Sequence, residues 1–144
     1  MHELGEHLET ILVVDDDAAV LKIVSSILGR AQFRVLQASD GISALQLAAE
    51  TPETIQLLLS DVKMPGMSGP DLADTLKQTR PDIHVMFMSG FADGDLLVLN
   101  YGWAFIQKPF VATKLVEMIN VVLHTRDKSQ GSRQYDARND IGKS

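Results

Sequence analysis

The sequence predicts an α/β fold, a doubly wound sheet of five parallel strands with helices on both faces. Five short apolar runs alternate along the chain with segments that carry apolar residues at helical spacing. The first run is continuous in leucine and β-branched residues, which is typical of a strand buried on both faces of a parallel sheet. Regular alternation of strand and helix favours right-handed crossovers, and these place helices on both faces.

Length, charge and composition exclude several classes of protein. The 144 residues fit one compact domain, and the formal charge of −6 disfavours binding to nucleic acid or to an anionic membrane. There is no cysteine, so no disulfide or thiolate metal site is expected. No apolar run reaches the roughly 18 residues of a membrane span, and the start of the chain lacks the basic residues of a signal peptide. We therefore expect a cytoplasmic protein with no nucleic-acid or membrane partner.

The first strand is expected at Ile11–Val14, and Asp17 is placed to cap the helix that follows it. Gly29 is expected to end this helix. Its inner stripe has helical spacing and comprises Val20, Val24, Ile27 and Leu28. A short second strand is expected over Phe33–Gln37.

The second helix begins after the turn at residues 39–41 and stops before Pro52. Its apolar residues are Ile42, Leu45 and Ala49. The third strand is expected at Leu57–Ser60, with Asp61 where it ends. Pro65 and Gly66 follow closely and cannot continue a central strand.

The second half of the chain contains two more strands and two or three helices. Ser68 can cap the third helix, and the fourth strand is expected at Ile83–Met88. Residues 93–101 are apolar but can hold only about two helical turns. The fifth strand is expected at Trp103–Ile106 and the last helix at residues 112–124.

Three segments follow from this assignment. Residues 10–124 form the predicted domain, and residues 1–9 form a polar N-terminal extension. Residues 125–144 are polar and mixed in charge, which favours a flexible C-terminal tail.

Polar residues follow four of the five strands at the point where each ends. Asp15 and Asp16 follow the first strand and Asp61 the third, while Ser89 and Lys108 follow the fourth and fifth. Parallel strands end at one edge of a sheet, and open α/β sheets bind their ligands there. We therefore expect these five side chains to share one crevice.

Three converging carboxylates repel one another, and either protonation of some of them or a cation bound among them relieves that repulsion. The candidate ligands are oxygens, with neither histidine nor cysteine among them, so a hard ion such as Mg²⁺ is expected. A metal ion, an ammonium group and a hydroxyl around one carboxylate form a receptor for a phosphoryl group. The carboxylate itself can act as the nucleophile and become an aspartyl phosphate.

In these motifs the chain resembles the receiver domains of two-component response regulators, over roughly residues 10–123. The motifs are Val13-Val14-Asp15-Asp16, residues 60–69 (SDVKMPGMSG), Met88-Ser89-Gly90 and Gln107-Lys108-Pro109-Phe110. The resemblance implies a flavodoxin-like sheet of order 2-1-3-4-5. It also implies a phosphoryl donor that is a histidine kinase or a histidine phosphotransfer protein. Such a domain catalyses its own phosphorylation and dephosphorylation and is not a conventional enzyme.

The same resemblance assigns roles to individual residues. Asp61 is the expected phospho-acceptor, Ser89 the switch hydroxyl and Lys108 a contact of the phosphoryl group. The expected Mg²⁺ ligands are Asp15 (through water), Asp16, Asp61 and the main-chain carbonyl of Lys63. A cis peptide is expected at Lys108–Pro109, and Phe105 matches the aromatic switch position.

Residues 87–93 and 104–110 further resemble receivers attached to hybrid histidine kinases. In such a chain the fourth helix is expected to be shortened. The last helix is apolar on nearly all sides, which suggests docking to a downstream protein or to a second copy.

Two other functions remain open from the sequence alone. A haloacid-dehalogenase-type phosphatase would use the Asp15-x-Asp17 pattern, but it leaves the motif around Asp61 unexplained. A receiver can also serve as a constitutive binding module that is never phosphorylated. The sequence also leaves open whether the chain is a stand-alone receiver or a fragment of a hybrid kinase.

Overall fold

A computed structural model of the chain describes residues 8–90 and 103–124. Its strands are β1 (Thr10–Val14), β2 (Arg34–Ala38), β3 (Leu57–Asp61), β4 (His84–Ser89) and β5 (Ala104–Gln107). Its helices are α1 (Ala18–Arg30), α2 (Gly41–Glu50), α3 (Gly69–Thr79) and α4 (Ala112–His124). The predicted short helix at residues 93–101 and the predicted tail at residues 125–144 lie outside the described residues, as does most of the predicted extension at residues 1–9.

The five strands form one parallel sheet of order β2-β1-β3-β4-β5, which confirms the predicted fold class. The register aligns the strand ends: Val14 pairs with Ser60, Asp61 with Met88, and Ser89 with Gln107. The residues that follow β1, β3, β4 and β5 are thereby brought to one edge.

The sheet is buried on both faces, as the continuously apolar strands predict. On one face Leu12, Leu58 and Phe87 share a core with α2 and α3. On the other face Leu57 and Met86 share a core with α1 and α4. Successive strand residues therefore point to opposite cores, as a pleated strand requires.

Side-chain caps begin three of the helices. The Asp17 carboxylate accepts from the amide of Ala19 at 2.9 Å, and the Ser68 hydroxyl accepts from that of Asp71 at 3.2 Å, as predicted. Asp40 caps α2 in the same manner. These bonds satisfy amide groups that the helix leaves without an acceptor.

The prediction that Gly29 ends the first helix is wrong. Helix α1 continues to Arg30, and the left-handed conformation that follows its end belongs to Gln32, with φ of 73°. The amides of Ala31 and Phe33 donate to carbonyls in the last turn of the helix, so main-chain bonds close it without a glycine.

Two smaller expectations also need correction. Helix α2 buries Gly41, Ala44 and Ala48, whereas Ile42 is 57% exposed and Ala49 is also exposed. Leu45, the other predicted apolar residue, is partly buried and packs against the same core. Strands β2, β4 and β5 begin and end one residue later than expected, because the ladder hydrogen bonds, not hydrophobicity, set their limits.

Candidate functional site

The predicted polar residues meet at the carboxyl edge of the sheet. Asp15 and Asp16 follow β1, and Asp61 and Ser89 are the last residues of β3 and β4. Lys108 follows β5, and its amide donates to the Ser89 carbonyl at 2.7 Å. Four neighbouring strands thus end at the edge of the sheet where these residues are expected.

The three carboxylates form one cluster. Asp15, Asp16 and Asp61 each offer an oxygen, and these oxygens all lie within 4.8 Å of one another. Asp15 is fully buried, Asp61 is 17% exposed at its side chain, and Asp16 is exposed. An all-oxygen set that is open on one side fits a hard divalent cation that keeps some of its water.

Lys108 connects two of these acids. Its Nζ donates to Asp15 Oδ2 at 2.9 Å and lies 3.6 Å from Asp61 Oδ1. The other oxygen of Asp15, Oδ1, accepts from the amide of Asp17 at 2.8 Å. Both oxygens of Asp15 therefore already have donors within the chain.

The charge at Asp61 is only partly compensated. Burial raises the pKa of the Asp61 carboxyl above its usual value, and the Asp15 carboxylate raises it further. Lys108 and the amide of Val62, which donates to Asp61 Oδ1 at 2.9 Å, act in the opposite direction. The net shift is upward, so a bound cation would stabilise the charged form of this carboxylate.

Lys108 stays charged at neutral pH. Burial disfavours its protonated form, but the hydrogen bond to Asp15 and the charges of Asp61 and Asp15 outweigh burial, and the pKa of Lys108 is raised. A positive charge beside a carboxylate can stabilise an anionic group that is bound there.

Ser89, Lys63 and Phe105 complete the predicted set. Ser89 is buried and comes directly after Met88, the strand partner of Asp61. Lys63 is exposed two residues beyond Asp61. Phe105 is partly buried and packs against the core that contains Phe87. The peptide Lys108–Pro109 is cis, as predicted.

Ser60 and Gly69 also contact Asp61, although the sequence assigned neither of them a functional role. The Ser60 hydroxyl donates to the main-chain oxygen of Asp61 at 2.8 Å, and Gly69 lies against the same oxygen. Two sequence signals could have identified these residues. Ser60 is a small polar residue in an otherwise apolar strand, and Gly69 is a glycine at the start of a helix.

Residues 11–120 match the family model described as the response regulator receiver domain. The chain belongs to this family. As a response regulator receiver domain, it is a component of two-component signal transduction. Mg²⁺ binding and phosphorylation are typical of the receiver-domain family. Receiver domains interact with histidine kinases or phosphotransfer proteins.

Relatives of this receiver domain occur in kinases and in regulators. The sensor kinase CckA of Brucella abortus is 31% identical over 128 residues, which is 87% of this chain and 13% of that protein. The regulator FixJ of Azorhizobium caulinodans is 34% identical over 134 residues, which is 91% of this chain and 62% of that protein. The chain thus spans a small part of the kinase, so the activity of any such whole protein is not carried over.

Solved structures agree with this membership. A receiver domain protein from Clostridium thermocellum superimposes with a TM-score of 0.75 at 28% identity, covering 85% of this chain and 100% of that chain. The receiver domain of a hybrid histidine kinase, CckA, gives 0.68 at 35% identity and covers 79% of this chain and 98% of that chain. In residues 8–90 and 103–124, no helix of this receiver domain has the length and hydropathy to cross a membrane.

Proposed function

We propose that Asp61 accepts a phosphoryl group from a histidine kinase or a histidine phosphotransfer protein. One observation carries the proposal: Asp15, Asp16 and Asp61 lie together with Lys108, whose Nζ is 3.6 Å from Asp61 Oδ1. This arrangement places a nucleophilic carboxylate, a fixed cation and a candidate metal site within one crevice. The family membership supports this function over a haloacid-dehalogenase-type phosphatase.

In the proposed reaction a carboxylate oxygen of Asp61 attacks the phosphorus of a phosphohistidine. A phosphorus–oxygen bond forms, the phosphorus–nitrogen bond breaks, and its electron pair stays on the imidazole. Lys108 pairs with an oxygen of the transferred group, and the Ser89 hydroxyl donates to another. Lys108 is suited to this role because it is charged and already lies between two carboxylates.

We propose that Mg²⁺ is the cation of this site. The residues that would hold it are Asp16, Asp61 and the main-chain carbonyl of Lys63, with Asp15 acting through water because both of its oxygens already have donors. When bound, Mg²⁺ supplies positive charge that neutralises the oxygens of the transferred group.

The phosphoryl group adds about −1.5 to −2 charges to Asp61. We propose that Ser89 moves toward it and that Phe105 follows, so that the face formed by β5 and α4 repacks. Helix α4 has exposed apolar side chains within it and next to it, since Val121 is 60% exposed and Val111, just before the helix, is 65% exposed. A downstream protein or a second copy would bind this face. Amide exchange of α4 that is identical with and without a phosphoryl mimic would contradict this step.

The test is labelling by acetyl phosphate, read by intact mass, with Mg²⁺ or with a chelator. We expect the wild type to gain one phosphoryl group only with Mg²⁺, and Asp61→Asn to gain none. Asp74→Asn is the matched control, because it makes the same change at an exposed position of α3, and it should label as the wild type does. A wild type that gains nothing would contradict the proposal and favour the constitutive binding module.

A further inference from the structure

The main-chain oxygen of Asp61 is held by the residue that precedes it. Ser60 is fully buried near the carboxyl end of β3, and its hydroxyl donates to this oxygen at 2.8 Å. In an otherwise apolar strand interior, a serine does not contribute to the core through hydrophobic burial. The hydrogen bond to Asp61 is the contact that accounts for a hydroxyl here.

The same peptide group also contacts the acceptor carboxylate. Its oxygen belongs to Asp61 and its N–H to Val62, and this N–H points to Asp61 Oδ1 at 2.9 Å and to the Met88 carbonyl at 3.2 Å. The peptide group is planar, so a bond that fixes its oxygen also fixes the direction of its N–H. The Ser60 hydroxyl therefore acts on the carboxylate through one rigid group.

Gly69 confines this peptide group from the other side. A Cβ at Gly69 would overlap the main-chain oxygen of Asp61 and would come within 2.9 Å of the Phe87 ring. The amide of Gly69 also donates to the Val62 carbonyl at 2.8 Å. Any side chain at position 69 would thus push on the main chain at Asp61, not on a flexible side chain.

We propose that Ser60 and Gly69 are positioning residues, which orient the Asp61 carboxylate by holding the peptide group between Asp61 and Val62. The inference rests on the proposed function, because it assumes that this carboxylate is the phospho-acceptor. Ser60 and Gly69 do not touch the phosphoryl donor. They act through the bond from the Val62 amide to Asp61 Oδ1.

The first test removes the hydroxyl. Ser60→Ala should lower the maximal rate of labelling by acetyl phosphate at saturating Mg²⁺ by about ten- to a hundredfold, since small displacements of a reacting group have effects of this size. The half-saturating concentration of acetyl phosphate should change by less than about twofold, because the donor's own contacts are intact. Ser60→Thr restores the hydroxyl and should recover most of the rate.

Matched controls separate positioning from stability. Ile11→Val shortens a fully buried residue of β1 away from Asp61 and should lower stability without changing the labelling rate. Gly69→Ala should lower the rate at least as much as Ser60→Ala. Gly29→Ala is its control, because a Cβ there meets no atom within 4 Å.

A second measurement does not depend on labelling. Hydrogen exchange of the Val62 amide should be at least about tenfold faster in Ser60→Ala than in Ile11→Val, because its acceptors are no longer aligned. Unchanged exchange, or a folded Ser60→Ala that labels as fast as the wild type, would overturn the positioning role. A wild type that never labels would contradict the proposed function instead, and faster exchange in Ser60→Ala would then still support the positioning of this peptide group.

Discussion

The two ends of the sheet use charged side chains in opposite ways. At the amino end, Arg80 and Lys77 donate to neutral main-chain oxygens. The guanidinium of Arg80 donates to the carbonyls of Ala48, Thr51 and Glu53 at 3.0, 2.7 and 3.0 Å. Lys77 Nζ donates to the Ile83 carbonyl at 2.8 Å. These bonds join α2, α3 and the loops that lead into β3 and β4.

At the carboxyl end, Asp15, Asp16 and Asp61 lie around Lys108 and leave a surplus of negative charge. The pKa of Asp61 is raised, mainly by burial and next by the Asp15 carboxylate, so the charged form of Asp61 is disfavoured in the folded state. The difference indicates that the amino end stabilises the domain, while the carboxyl end keeps a surplus of negative charge that a bound cation would neutralise.

The largest effect on stability is expected at the amino end. Arg80→Ala should lower the free energy of unfolding by about 2 kcal/mol, because three carbonyls lose a charged donor. Urea unfolding measures this change. Arg34→Ala, which removes an exposed arginine on β2, should stay within about 0.5 kcal/mol of the wild type. Equal losses in both variants would mean that the Arg80 bonds contribute nothing specific.

The next effect is the response of the carboxyl end to Mg²⁺. A ligand that binds the folded state at tenfold its dissociation constant raises the free energy of unfolding by about 1.4 kcal/mol. We expect this gain in the wild type and a smaller one in Asp16→Asn, which removes a candidate ligand. Denaturant unfolding with and without Mg²⁺ measures it, and the same gain in both proteins would exclude Asp16 as a ligand.

Asp61→Asn should raise the midpoint of thermal unfolding by a few °C in metal-free buffer, although it removes the proposed acceptor. The physical reason is the loss of a partly buried carboxylate beside Asp15. Asp74→Asn, on the exposed surface of α3, should leave the midpoint unchanged. A lowered midpoint for Asp61→Asn would show that the carboxylate stabilises the fold and would remove the contrast between the two ends.

The difference in stability between Asp61→Asn and the wild type is expected to depend on pH. The pKa of Asp61 is raised in the folded state. At pH values between the usual carboxyl pKa of about 4 and the raised pKa, the folded state therefore binds more protons than the unfolded state. The contribution of Asp61 to stability therefore falls as pH rises through this window. The advantage of Asp61→Asn over the wild type should shrink as pH is lowered from 7 toward about 4, and a constant advantage would contradict this.

The smallest expected effect concerns backbone strain at Gln32, at the amino end of the sheet. Gln32, in the turn before β2, has φ of 73°, in a region that favours glycine. Gln32→Gly should raise the free energy of unfolding by about 0.5 kcal/mol, because the strain it relieves exceeds the added freedom of the unfolded chain. Gln46→Gly, on the exposed side of α2, should lower it by up to about 1 kcal/mol. Destabilisation by both would show that the Gln32 side chain has its own favourable contacts.

Much of the fold follows from local patterns in the sequence. Continuous apolar strands predict burial on both faces, and Asp17 and Ser68 predict helix starts, because both signals come from neighbouring residues. The end of α1 at Arg30 does not follow, since glutamine is not a usual left-handed residue. The exposure of Ile42 also does not follow, because the side of α2 that faces the core is set by tertiary packing.

Some features of the candidate site also follow from the sequence, and others do not. The meeting of Asp15, Asp16, Asp61 and Lys108 at one edge follows from strand order alone. The pairing of Lys108 with Asp15 at 2.9 Å, closer than with Asp61, depends on side-chain packing that no local pattern encodes. The bond from Ser60 to the main chain of Asp61 is likewise visible only in three dimensions.

The most direct measurement compares Arg80→Ala and Asp61→Asn under acetyl phosphate and Mg²⁺, with intact mass and thermal unfolding recorded on the same samples. We predict that Arg80→Ala is less stable than the wild type yet gains one phosphoryl group. Asp61→Asn should be more stable and gain none. A phosphoryl group on Asp61→Asn, or none on both the wild type and Arg80→Ala, would contradict the division of the sheet into a stabilising end and a reactive end.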